Sequence, residues 1–131
     1  MNVTSTRART RGVAALELAV ALPFVLLLVL GVMEYALQFH ALHVMTDAAR
    51  EGARTMAVRG GTAAEATAAT AECLPNFGGA TFTVTATQNG RDVVVDVSVP
   101  REQLSLGLAN LITLTPSTTL NAQVTMRKEG G

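Results

Sequence analysis

The chain has no tryptophan, and its single cysteine, Cys73, rules out an intrachain disulfide. With no partner thiol, Cys73 is expected to be a small buried hydrophobe, and pairing between chains is the lesser alternative. No charge excess exists either. Ten Lys/Arg balance ten Asp/Glu in 131 residues, so net charge argues neither for nucleic acid nor for an acidic substrate, and no nucleic-acid partner is expected. Catalytic signatures are missing too: there is no G-x-S-x-G elbow, no phosphate-binding loop and no paired-carboxylate site. The expectation is a protein that is not an enzyme and carries no cofactor. Its length allows one small domain, with about 90 residues outside the main apolar segment and so a shallow core.

What the chain does have is one long apolar run inside "RTRGVAALELAVALPFVLLLVLGVMEY", Arg9 to Tyr35. Sixteen uncharged residues separate Glu17 from Glu34, and eleven of them are Leu, Val or Phe. Flanked by Val13–Leu16 and Tyr35–Phe39, the run can cross a hydrocarbon core of about 30 Å. Leu, Val and Phe each favour insertion by about 0.3–0.6 kcal/mol, which together outweighs the few kcal/mol of a carboxylate near the end. Arg7, Arg9 and Arg11 precede the run, whereas His40, His43, Asp47 and Arg50 follow it, so the positive-inside rule puts the N-terminus in the cytoplasm. A secretory signal peptide is disfavoured, because the run exceeds a usual h-region and no clear A-x-A site follows. Pro23, early in the helix, removes one backbone donor at a position transmembrane helices tolerate.

Beyond the run, "YALQFHALHVMTDAAREGARTMAVRGG" lacks proline, so the same helix should continue to about Val58 and end at Gly60-Gly61. Thr62 and Glu65 form a T-x-x-E capping box that opens a short helix, TAAEATAATAECL, halted before Pro75. Its face is mostly alanine, suited to close packing over little area. From Thr81 the period becomes two. "TFTVTAT" and "DVVVDVSVP" flank Asn89-Gly90, a type I′ turn signal that would pair Ala86 with Val93, Val84 with Val95 and Phe82 with Val97. Thr83, Thr85, Asp96 and Ser98 fall on the polar face. Residues 101–112 leave a short helix and a packed loop both open, "TTLNAQVTM" alternates as a third strand, and Gly78-Gly79 and Gly130-Gly131 read as a turn and a tail.

His40, His43, Asp47 and Glu51 share one helical stripe, the pattern a metal site could use. One helix spreads them over about 16 Å, however, so only neighbours could share an ion and no metal is expected. Asp47 with Arg50 and Glu51 with Arg54 are i,i+3 pairs, worth tenths of a kcal/mol each on an exposed helix. They are better suited to docking against the domain or a partner subunit than to chemistry.

The chain resembles the TadE-like family, minor pilins or pseudopilins of the tight-adherence class of type IV pilus systems. Three stretches carry the resemblance: "RGVAALELAVALPFVLLLVLGVMEY", with a Gly-x-x-x-x-Glu junction before an apolar run with an early proline; "AAREGAR" at Ala48–Arg54; and the terminal "LNAQVTMRKE". The resemblance implies cleavage by a prepilin peptidase after Gly12, leaving Val13 as the new N-terminus and Glu17 as the fifth residue. It further implies that Glu17 neutralises the amine of a neighbouring subunit during assembly. Many pilins place an aromatic residue just after that glutamate, but here it is Leu18, which suits a minor component better than a major filament subunit.

The expected fold is α+β, pilin-like. A cytoplasmic leader (1–12) precedes a transmembrane helix (13–39), which continues into an extracytoplasmic domain (40–131) with a short helix and a three-stranded antiparallel sheet. The implied location is the bacterial cytoplasmic membrane, crossed once with the domain outside. Implied partners are the membrane, the prepilin peptidase, other pilin and pseudopilin subunits and the pilus assembly platform of a Flp-type pilus or related secretion apparatus. The competing reading is an uncleaved membrane-anchored protein whose outer domain binds a ligand or scaffolds a complex.

Overall fold

The computed structural model describes residues 4–58, 60–105, 107 and 118–128. One helix, α1 (Thr4–Ala57), runs without a break through Pro23. The expected continuation of the apolar segment into the following alanine-rich stretch therefore holds to within a residue of its expected end. Gly60, with φ of 89°, lies just past it. The second helix, α2 (Ala63–Cys73), opens on the expected box: the Thr62 hydroxyl accepts from the Glu65 amide, and the Glu65 carboxylate accepts from the Thr62 amide. Each satisfies an amide that the first helical turn would leave unpaired. Thr67 and Thr70 bond back to the carbonyls of Ala63 and Ala66, so their hydroxyls add no unmet donor.

Strands β1 (Thr83–Asn89), β2 (Asp92–Pro100) and β3 (Thr119–Arg127) form an antiparallel sheet in the order β1-β2-β3. With the two helices, this is the expected α+β arrangement. Val93, Val95, Val97 and Val99 alternate along the central strand and are fully buried, each stabilising by about 1.5 kcal/mol or more the head, the unit that the sheet and α2 form with the later part of α1. They pack with Ala122, Ala66 and the α1 residues Ala41, Met45, Ala49, Ala53 and Met56. The core is thus one face of a sheet laid along a helix, filled mainly with valine and alanine. A single 3₁₀ turn, Arg101–Leu104, follows β2 and resolves the two forms left open for the start of the 101–112 stretch. Residue 106, residues 108–117 and the Gly130-Gly131 tail lie outside the described residues.

Two expectations need correction. In the hairpin, Ala86 faces Val95 and Val84 faces Val97, not Val93 and Val95. Asn89 and Asp92 form the last pair, so Gly90 and Arg91 make the turn. A type I′ turn at Asn89-Gly90 would need positive φ at both residues, yet no non-glycine among the described residues has one, whereas Gly90 sits at φ 64°. Glycine alone at the first central position is the type II′ pattern. The slip is by two residues, so every side chain keeps its expected face. The second correction is Cys73, which is exposed and not buried. It is the final residue of α2, beyond the buried pair Ala66 and Thr70.

Candidate functional site

The α1 helix carries all the candidate residues and divides into two environments. From Gly12 to Met33 every side chain is exposed save the half-buried Leu30. From Glu34 onward one stripe is buried: Glu34, Gln38, Ala41, Met45, Ala48, Ala49, Gly52, Ala53, Met56 and Ala57. Steps of three and four residues match the helical repeat.

Gly12 and Val13 lie inside α1, well short of the head. A Cβ built on Gly12 would meet nothing within 4 Å, so packing gives no reason for glycine there. Glycine in a helix interior costs about 1 kcal/mol relative to alanine. Val13 and Glu17 are both exposed and stand four residues apart on one face, with a rise of about 6 Å between them.

The "AAREGAR" stretch splits cleanly by side-chain size. Ala48, Ala49, Gly52 and Ala53 turn inward, and Arg50, Glu51 and Arg54 turn outward, as does Asp47 just before the stretch. A Cβ on Gly52 would overlap the Thr70 hydroxyl and come within 2.9 Å of the Ala66 carbonyl oxygen. Gly52 is therefore a notch that lets α2 press against α1, and the close approach offsets its conformational cost. On the outer side, the Arg50 guanidinium reaches Asp47 at 2.9 Å and that of Arg54 reaches Glu51 at 3.9 Å. Both pairs are more than half exposed on at least one partner, so solvent screens them and they present alternating charge to the surroundings.

The histidines are used otherwise. His40 meets the Phe77 ring edge-on at 5.7 Å, and His43 meets Phe39 in the same way at 4.5 Å. Among the described residues, no three His, Cys, Asp or Glu side chains gather as a metal site would require.

Sequence reasoning did not foresee the polar link at the base of the head. Arg101 donates from Nε (2.9 Å) and Nη2 (2.6 Å) to Gln38 Oε1, and Gln38 Nε2 points to Glu34 Oε1 at 3.4 Å. Glu34 and Gln38 are both buried. Their i,i+4 spacing at the end of an apolar run was the one available signal, and Arg101, 63 residues from Gln38, could not be paired from sequence.

Residues 12–54 match the family model of TadE-like proteins. The match begins at the junction glycine and ends at the arginine that closes the second ion pair, so the TadE-like segment spans both environments of α1. It agrees with the resemblance carried by the junction and by "AAREGAR". The long apolar helix at the head of this TadE-like segment, with mean hydropathy 2.7 over its most apolar window, is one that membrane anchoring would use. No curated protein and no solved structure matches the chain.

Proposed function

We propose that the chain is a minor pilin or pseudopilin that a prepilin peptidase processes after Gly12 and that takes part in assembling a Flp/Tad-type pilus or related secretion apparatus. The observation that carries this reading is a TadE-like helix whose first half is apolar and uncovered on every side yet keeps a carboxylate, Glu17, one turn from the junction. An uncovered apolar rod needs lipid or other apolar helices around it. A glycine that packing does not require gains a reason if a peptidase reads the junction.

In this reading the leader arginines hold residues 1–12 in the cytoplasm and the head stands outside the cytoplasmic membrane. Cleavage turns the Val13 amide into an amine, a positive charge four residues from Glu17. Each charge is costly beside hydrocarbon, and each offsets the other. Within one subunit they can pair while it waits in the bilayer. Between subunits, Glu17 meeting a neighbour's amine sets register along helices whose Leu and Val faces alone would slide, since apolar packing is non-directional. The exposed Asp47–Arg50 and Glu51–Arg54 pairs supply contacts for partner subunits, and the role is structural, without catalysis.

Intact mass of protein from cells with active peptidase tests the first step, and a mature chain beginning at Val13 is expected. Recovery of residues 1–12 on that protein would favour the uncleaved anchored scaffold. Glu17→Gln should insert and be cleaved normally but crosslink poorly to partner subunits. Wild-type crosslinking by that variant would sink the charge-register step.

A further inference from the structure

The base of the head lies at a defined level on α1. A hydrocarbon core of about 30 Å takes about 20 helical residues, which for the apolar run places its outer edge near Met33. Glu34, the next residue, is the first buried one. Leu37 stands about 6 Å beyond Met33 along the axis, inside the headgroup layer, which adds roughly 5–8 Å on each side of the core.

At this level the head is built from two segments tied together. The Thr81 amide donates to Gln103 Oε1 at 2.7 Å, fastening the loop that carries Phe77 to the 3₁₀ turn. Between them opens a cleft of about 240 Å³ lined by Leu37, Phe77, Gly78, Gln103, Leu104 and Ser105. Arg101 begins the same 3₁₀ turn and is exposed even though Gln38 holds its guanidinium. At the same level, on the face of α1 turned away from Leu37 and the cleft, Tyr35 and Phe39 are exposed and stacked at 6.1 Å. Tyr35 is the chain's only tyrosine. Amphipathic aromatic rings collect at the membrane interface, where one end is apolar and the other wet.

We propose that this end of the head is a lipid-contact surface. Its cleft takes the glycerol and upper acyl region of an outer-leaflet phospholipid, whose phosphate meets Arg101. The surface continues the uncovered face of α1 directly, and its cation complements the phosphate charge. The inference rests on α1 being a membrane span, and it adds that the head lies down on the bilayer instead of standing clear of it.

The absence of tryptophan makes the test direct, because any introduced tryptophan is the sole one. The full chain is reconstituted in vesicles of phosphatidylglycerol and phosphatidylcholine brominated near the top of its acyl chains. Phe77→Trp and Gln103→Trp report on the cleft, Leu26→Trp on insertion, and Thr85→Trp on the outer sheet face, with circular dichroism confirming the fold of each. Both cleft reporters should be quenched at least about threefold more than Thr85→Trp, in line with interfacial placement. Adding Arg101→Gln should weaken quenching of the Phe77→Trp reporter, and Arg101→Lys should preserve it. If Leu26→Trp is quenched but neither cleft reporter exceeds Thr85→Trp, the lipid surface is refuted and the span stands; a protein partner would then be the better occupant. If Leu26→Trp also escapes quenching, the span reading falls and the inference with it.

Discussion

The two halves of α1 are one helix built by opposite rules. The half before Glu34 points Leu, Val and Phe outward in all directions, and the half after it turns Ala, Gly and Met toward a sheet. Apolarity alone does not separate them. Side-chain size does. Bulky residues with nothing packed on them need an external apolar phase, whereas small residues in a stripe let other backbones come close. A helix can therefore carry an uncovered apolar surface and a folding surface in series, without a linker.

The sharpest way to break this comparison is a matched pair of truncations in the full chain, followed by thermal unfolding of the head in detergent micelles. Met45→Ala removes a fully buried side chain and should cost about 2–5 kcal/mol, whereas Leu26→Ala, in the uncovered half, should leave the head's transition unchanged. Equal losses would mean the two halves fold as one unit.

Next in size is Gly52→Ala, where the added methyl meets Thr70 and the Ala66 carbonyl, with an expected loss of about 1–3 kcal/mol. Gly12→Ala, open on all sides, should slightly stabilise the helix instead. Combining Gly52→Ala with Thr70→Ala should recover part of the loss, because the hydroxyl is the nearer obstacle; additive effects in that double variant would show that the notch is not the cause.

Thr62→Ala removes one half of the capping box at the start of α2 and should cost about 1 kcal/mol, read as a lower melting temperature with unchanged helix content at 20 °C or so. Smallest of all, Arg50→Ala breaks an exposed ion pair and should shift stability by less than about 0.5 kcal/mol. If crosslinking to partner subunits falls while stability holds, the outward ridge belongs to assembly and not to folding.

The elements were legible because each follows from local pattern. Apolar run and alanine-rich stretch read as one helix, the Thr62–Glu65 box marks its own start, and period-two alternation marks the strands and their faces. The hairpin register was less so. Asn89-Gly90 and Gly90-Arg91 are both plausible turns from composition, and the choice rests on which residue takes positive φ. Cys73 was misjudged because residue type says little about where a helix ends relative to its packing partner. At the candidate site, the charged ridge could be read from spacing, and the junction entered only through the family resemblance, but Gly52 against Thr70 and Gln38 against Arg101 join segments distant in sequence. Only the folded chain brings those together.

The unbroken course of α1 also fixes an angle. With 3.6 residues per turn, Glu17 points about a quarter of a turn away from the stripe that carries the head. In the proposed assembly, a neighbour engaged through Glu17 thus comes in beside the head and does not have to pass beneath it. One residue added or removed between them would swing that azimuth by about 100° while changing the height by only about 1.5 Å. The stretch from Glu17 to Glu34 is consequently constrained in its count as well as its composition, like the teeth on a keyed shaft.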